Sequence, residues 1–400
     1  MKVFLFDLMH YKGDLDRFAV DGVLPHRLGR RHFDAQAAIE TYAQHLDAWE
    51  EMERVGFDGI GVNEHHATPF GLMNSPNLLA AAAAMRTKRM KILIYGNLLP
   101  LHEPLRLAEE LAMLDCLTGG RLIAGVARGA QREYRAHNVA MGESRARFDE
   151  CVDIMRRAWT EEVFSYQGQF HSYEDVSIWP RPVQDPHPPL WVPVTGSKDS
   201  IEWAARNDIA ITPGVSAAGT AREDIIRYYA QCQAEEGRKV TPGHLNFMVD
   251  CYVADSKAQA IKEYGPHYMY CFNTLIKYDH PTQDFNQKGY YSQTAHEHMR
   301  SGAKGTLADI SMFNSRMTEE GLKAQAEHMA WGTPDEVVER IITEADQAGA
   351  ETVLLMCNRG AMPQEMFLNQ IRRLGAEVLP RLQAHKVTRV PFAEGVGAGV

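Results

Sequence analysis

The chain has 400 residues, 45% of them hydrophobic and 24% charged, the proportions of a soluble globular protein with ample core material rather than of a disordered chain. Its formal net charge is -10 with Lys and Arg scattered singly, so no basic stripe offers itself to a phosphate backbone and nucleic acid is not expected as a partner. The amino terminus reaches Asp7 after four apolar residues and no later apolar run approaches a membrane span, which excludes a secretory or membrane-spanning reading and predicts a cytoplasmic protein.

Along the chain, short apolar runs with β-branched character alternate with longer amphipathic stretches, the signature of repeated βα units around a parallel sheet. The first predicted strand is Val3 to Leu8, followed by an irregular segment over 11–34 and a helix over Ala35 to Val55. The second strand, Gly59 to Asn63, opens directly into a polar knot that holds the adjacent histidines His65 and His66. A helix over Asn77 to Arg86 contains five consecutive alanines, Ala80 to Ala84; this reads either as plain helix propensity or as a close subunit contact. Strands at Ile92 to Gly96 and Leu122 to Ala127 alternate with helices at Pro104 to Leu117 and Ser144 to Thr160.

The stretch 162–189 breaks the rhythm, and its alternation around Gly168 predicts a small hairpin over Phe164 to His171. Strands at Leu190 to Val194, Ile209 to Thr212 and Leu245 to Val253 follow, with helices at Ser200 to Asn207 and Ala221 to Glu236. The third irregular stretch, 266–320, is long enough to form a lid. A helix at Pro334 to Ala348, a strand at Thr352 to Cys357 and a frayed tail over 388–400 complete the chain. Eight strands of this kind predict a closed α/β barrel, the (β/α)8 or TIM fold, in one domain over 1–400 with insertions at the carboxyl face.

The six cysteines are widely separated, with no Cys-x-x-Cys pair, and read as reduced and mostly structural. His296 and His298 stand two residues apart, so on a helix they diverge, and no metal site is expected. No Gly-x-Gly-x-x-Gly follows a predicted strand and no Walker loop is present, so a redox cofactor must be held in another way. A strand that turns into a helix can grip phosphate through unpaired N–H groups. Val194 to Ser200 has that composition, with Gly196 for close approach and hydroxyls on Ser197 and Ser200; a plain helix cap is the competing reading. Arg128, flanked by Gly125 and Gly129 after a predicted strand, adds a charge-assisted donor for the same anion.

The segments Asn63 to Gly71, Leu98 to Pro104, Leu114 to Arg121, Gly125 to Gly129 and Ser200 to Ala205, in this order and spacing over roughly 1–260, closely resemble the bacterial luciferase-like flavin monooxygenases. A looser match surrounds Gly332-Thr-Pro-Asp and Met362-Pro. The resemblance implies a barrel that binds reduced FMN at its carboxyl face and activates dioxygen there. It implies that Arg128, Ser197 and Ser200 hold the FMN phosphate with backbone help from Gly196, and that Tyr95, Gly96 and Asn97 lie against the isoalloxazine, in the family often through a non-proline cis peptide. His65 corresponds to the histidine beside the reactive flavin edge in the catalytic luciferase subunit, and can take and return a proton near neutral pH. Glu64 and His66 are then supports for it. Ala127 stands where luciferase has a reactive cysteine, which argues against light emission.

Phe6, Leu8, Trp191, Phe247 and Met248, at or near strand ends, are the substrate-pocket candidates, and each also reads as barrel packing. The resemblance implies a two-component monooxygenase: a separate NAD(P)H-dependent flavin reductase would supply reduced FMN, and dioxygen would oxygenate a small organic substrate such as an aldehyde or ketone. A homodimer through the helices at Asn77 to Arg86 and Glu103 to Leu117 is implied as well. Two alternatives remain on the sequence: a deazaflavin-dependent oxidoreductase on the same barrel, and a flavin-binding protein without catalysis. The substrate, the type of oxygenation and the cis bond are not legible in one chain.

Overall fold

The computed structural model describes residues 1–20, 28–129, 131–194, 197–213, 220–279 and 316–393. In chain order the strands are β1 (Lys2–Phe6), β2 (Gly59–Val62), β3 (Lys91–Leu98), β4 (Leu122–Ala127), β5 (Phe164–Gln167), β6 (Ser172–Val176), β7 (Leu190–Val194), β8 (Ala210–Pro213), β9 (Asn246–Val253), β10 (Ala330–Gly332) and β11 (Thr352–Met356). Nine of them form one sheet in the order β10-β9-β11-β1-β2-β3-β4-β7-β8. Its neighbouring strands pair in parallel. An isolated parallel bridge between Ile211 and Leu245 links β8 to the entry of β9, and the Thr212 hydroxyl donates to Asn246 Oδ1 at the same place.

The repeat arises because each strand is an apolar run buried on both faces, as a sheet covered by helices requires; β11, Thr-Val-Leu-Leu-Met, is buried throughout. Helices Ala35–Val55, Ser144–Thr160 and Pro334–Ala348 have the predicted bounds. The first is capped by Asp34, whose carboxylate accepts from the N–H groups of Gln36 and Ala37, and it ends at left-handed Gly56. Inside the sheet, the rings of Phe4 and Phe6 lie over β2. A Cβ on Gly59 would stand 2.6 Å from the Phe4 ring and one on Gly61 would stand 2.9 Å from Phe6, so the two glycines make room for the aromatic layers.

The predicted hairpin forms as antiparallel β5 and β6. Glu150 fastens it by accepting from the N–H groups of Gln169, Phe170 and His171. β1 ends at Phe6 rather than Leu8: the Asp7 carboxylate accepts from Met9 N at 2.9 Å, and Met9 turns left-handed with φ 45°. β10 carries too few residues for periodicity to signal it. The irregular stretch expected from 266 begins as a helix, Lys257–Tyr270, which runs through Pro266 because Tyr264 and Tyr268 pack their rings against Trp331. Residues 280–315 of that stretch lie outside the described residues, as do His296 and His298. The expected frayed tail is anchored at its start, where Val390 is buried against Gly349; 394–400 lie outside the described residues. Helices Gln131–Ala136 and Gln364–Arg373 were not signalled by the sequence pattern. Five of the six free cysteines are buried and Cys116 is exposed.

Candidate active site

The carboxyl ends of β1, β2 and β3 carry the densest polar network. Asp7, fully buried after β1, accepts from His45 Nδ1 at 2.6 Å, Trp49 Nε1 at 2.7 Å and Asn358 Nδ2 at 2.7 Å. Burial would raise its pKa, but His45 and the other donors outweigh it and hold the carboxyl at about 2. Asn63, one residue beyond β2, donates to the Asp7 carbonyl at 2.7 Å, which fixes the start of the histidine loop. Glu64 follows with its carboxylate buried. It accepts from Leu98 N at 2.9 Å, His66 Nε2 at 2.8 Å and His102 Nε2 at 2.9 Å. Burial opposes ionisation here too, and His102 and His66 overcome it, holding Glu64 at about 2 and raising His102 above its ordinary value.

Glu64 therefore organises His66 and His102. Among the described residues, the carboxylate on the His65 ring is Glu133, which accepts from Nδ1 at 3.3 Å and comes from helix Gln131–Ala136. The His65 ring also meets Phe70 edge-on at 5.3 Å, and its carbonyl accepts from Asn74 Nδ2 at 2.8 Å. Arg132 of the same helix donates to the carbonyl of Ala67, a residue in left-handed conformation with φ 53°. Such a backbone costs about 1–3 kcal/mol and persists only where its surroundings hold it.

Beside this loop, the peptide bond between Tyr95 and Gly96 is cis, and the pairing of β3 with β4 slips between Ile94 and Asn97. A Cβ on Gly96 would stand 2.8 Å from Gly125 and Val126 backbone atoms, so only glycine permits this approach. The Tyr95 hydroxyl donates to Thr212, and its ring meets Phe6 edge-on at 6.0 Å. Asn97 is fully buried, yet neither atom of its amide has a partner among the described residues. Buried amides are rarely left so, and one with a free donor and acceptor suits the hydrogen-bonding edge of a planar heterocycle.

On the far side of β4 lie the residues expected to hold a phosphate. Ser197 is the N-cap of helix Lys198–Arg206, and Ser200 in its first turn accepts from Arg145 Nη2 at 2.7 Å. Burial first, and then repulsion from Arg128, lower the proton affinity of the Arg145 guanidinium, and Asp149 and Asp199 oppose the shift. Guanidinium groups beside a helix N-terminus favour negative charge; Asp149, 3.7 Å from Arg145, and Asp199 offset part of theirs. The charge and hydroxyl groups gathered here are compatible with a phosphate group.

The model of the luciferase-like monooxygenase (Bac_luciferase) family matches residues 22–352. The chain belongs to this family. It is 24% identical over 349 residues to the alkanal monooxygenase alpha chain of the Kryptophanaron alfredi symbiont, covering 86% of this chain and 94% of that protein. It is 28% identical over 232 residues to the oxygenase component of the flavin-dependent trigonelline monooxygenase of Acinetobacter baylyi, covering 57% of this chain and 63% of the other. Among solved structures, monooxygenase RslO1 from Streptomyces bottropensis superposes with a TM-score of 0.70 at 27% identity, over 95% of this chain and 99% of that one.

In this luciferase-like chain the residues expected from sequence fall into three groups. Tyr95, Gly96 and Asn97 adjoin Phe6 and, through Glu64 and Leu98, the histidine loop. Ser197 and Ser200 meet near Arg128 through Arg145, while Gly196 lies outside the described residues. Of the pocket candidates, Leu8 lies near the loop, its carbonyl 3.0 Å from where a Cβ on Gly71 would stand. Trp191 stacks on Phe4 at 6.1 Å, and Met248 shares Phe4's level through Leu354, one layer deeper than Phe6. Phe247 stands apart, under the Arg222 guanidinium at 5.6 Å, which pairs with Glu344 on the outer helix Pro334–Ala348.

Arg145 and Glu133 escaped the sequence reading. Arg145 opens an ordinary amphipathic helix, and its role appears only through a partner 55 residues away. Glu133 sits on a six-residue helix with no periodicity to expose it. Among the described residues, no helix is long and apolar enough to cross a membrane.

Proposed function

We propose that this protein is a two-component, FMN-dependent monooxygenase that oxygenates a small organic substrate such as an aldehyde or ketone. One observation carries the reading: the fully buried Asn97 amide, without a partner among the described residues, lies on β3 between the strand that opens into the histidine loop and the strand that leads to Arg128, in a member of the luciferase-like family. When bound, reduced FMN supplies the electrons and the position at which dioxygen reacts. The protein's own residues do the rest. Arg128, Arg145, Ser197 and Ser200 anchor the phosphate, with Gly196 in the same turn. Asn97 hydrogen-bonds the ring edge, while Tyr95, Gly96 and Phe6 shape its seat. His65 moves a proton, and Leu8, Trp191, Met248 and Phe247 contribute apolar wall or packing.

The same reading takes the chain as one domain and the sheet as a closed eight-strand barrel with β10 appended. The bridge between Ile211 and Leu245 and the hydrogen bond from Thr212 to Asn246 support closure between β8 and β9. A separate NAD(P)H-dependent flavin reductase is the electron source, as the name of the trigonelline relative, an oxygenase component, suggests. A homodimer in the cytoplasm is the expected form. Exposed Leu78 and Met85 on helix Pro76–Arg86 and exposed Met113 and Leu117 on helix Pro104–Thr118 support a contact there.

Anaerobic titration with reduced FMN, followed by admission of labelled dioxygen against a panel of aldehydes, ketones and sulfur compounds, tests the proposal. One labelled oxygen atom in a product is the expected result. Tight binding of reduced deazaflavin with no oxygen uptake would replace it with hydride transfer, and hydrogen peroxide as the sole product throughout would leave a flavin-binding protein.

A further inference from the structure

Glu133 lies where the two halves of the site meet. Its helix, Gln131–Ala136, begins three residues after Arg128, and its side chain is almost wholly buried, with 2% exposure against 22% for His65. One carboxylate oxygen accepts from His65 Nδ1 at 3.3 Å. The other lies 2.9 Å from where a Cβ on Gly129 would stand, and Gly129 has φ 81°, so the turn that carries Arg128 leaves room for this carboxylate and for little else. The helix is held to the histidine loop on both sides of this contact: Arg132 donates to the Ala67 carbonyl, and the His137 and His66 rings meet edge-on at 4.3 Å.

An imidazole that donates from Nδ1 to a carboxylate is fixed in one tautomer, and its basicity rises because the carboxylate favours the protonated ring. We propose that Glu133 is the positioning residue for His65: it accepts the Nδ1 proton and so leaves Nε2 as the ring atom that exchanges a proton with the reacting groups. The inference deepens the monooxygenase reading and rests on it for the identity of those groups. In the step, Nε2 takes one proton from a reacting partner and later returns it, while the Glu133 side chain on Nδ1 holds the ring and faces the transient imidazolium. Among the described residues, Glu64 and His66 on the loop, Arg128 on the turn, and Arg132, Arg135 and His137 from the helix and its end are the other charged or titratable groups around the pair. Tyr278 reaches the same region through Arg132. A carboxylate at hydrogen-bond distance dominates these because its interaction is direct and shielded from water.

The test uses nitrogen NMR of the histidine-labelled protein without flavin, with His65→Gln to assign the resonance. The Nδ1–H tautomer is expected in the wild-type protein. In Glu133→Gln, which keeps shape and removes charge, the His65 titration midpoint should fall by about one pH unit and the tautomer preference should weaken; Glu133→Asp should restore part of both. With reduced FMN, Glu133→Gln should lower kcat about 10- to 100-fold and move the acidic limb of its pH profile downward. An Nε2–H ring in the wild-type protein, or an unchanged midpoint in Glu133→Gln, would overturn the proposal, and the first of these needs no Glu133 variant to fold. If the tautomer is as expected but labelled oxygen reaches no product, the monooxygenase reading fails and the pairing stands.

Discussion

Arg145 donates to the Ser200 hydroxyl at 2.7 Å across 55 residues of chain, joining the first turns of helices Ser144–Thr160 and Lys198–Arg206. Between them lie the hairpin and β7, so the contact exists only once the sheet has formed. It brings a second guanidinium to the place where Arg128 and the helix N-terminus already favour negative charge.

Removing that guanidinium should weaken binding of reduced FMN. A hydrogen bond to a charged group contributes about 1.5–3 kcal/mol, so Arg145→Ala should raise the Kd about 10- to 100-fold in anaerobic fluorescence titration, with a smaller salt dependence. Arg145→Lys should recover only part, because the planar fork is lost. An unchanged Kd would remove Arg145 from the phosphate site.

His65→Gln should separate binding from chemistry. Reduced FMN should still bind, while substrate oxygenation slows by about 10²–10⁴, the usual contribution of a positioned proton carrier. Stopped-flow turnover with a peroxide assay reads both, and a variant that oxygenates at the wild-type rate would assign the proton to another group.

Gly96→Ala tests the close approach of β3 and β4. The added Cβ would meet backbone atoms at 2.8 Å, which cannot swing aside, so a loss of about 1–3 kcal/mol in urea unfolding is expected, with weaker flavin binding. Gly142→Ala, whose Cβ would meet nothing within 4 Å, should stay within about 0.5 kcal/mol.

The Glu64 pair with His102 predicts an acid limb of stability. Glu64 falls from an ordinary 4.5 to about 2 in the folded protein, so its stabilisation is present above pH 4.5 and is lost as pH falls toward 2, of order 3 kcal/mol in all. The raised pKa of His102 acts in the opposite sense: its share is complete below 6.5 and is lost as pH rises past the folded value. The two describe one interaction, counted once and strongest between about pH 4.5 and 6.5. Glu64→Gln should therefore be less stable than wild type at pH 6, with the gap closing by pH 2; a gap that is constant with pH would show that the charge is not responsible.

Leu78→Glu and Met113→Glu place charge on the exposed apolar residues of the adjacent helices. Sedimentation should show the proposed dimer falling to monomer in either variant, with the fold intact by circular dichroism.

The alternation of strands and helices was legible because burial on both faces of a parallel sheet leaves apolar runs such as Thr352 to Met356, and amphipathic helices such as Ala35–Val55 carry their caps in sequence. Asn63 to Gly71 and Gly125 to Gly129 were legible because strand ends need particular residues at fixed spacing. β10 was not, since three residues carry no period. The helix through Pro266 was not, because ring packing on Trp331 outweighs a local signal against helix.

The sequence by itself determined the class of fold, the family, and the candidate residues His65, Asn97, Arg128 and Ser200, all of which lie in short segments whose chemistry is local. Only the tertiary structure decided that Glu133 rather than Glu64 meets the His65 ring, that Arg145 reaches Ser200, and that Phe247 lies under an arginine of the outer layer. The physical reason is the same in each case. A hydrogen bond or a ring contact depends on distance in space, and between residues tens or hundreds of positions apart that distance is set by how the strands pair, not by anything written beside either residue.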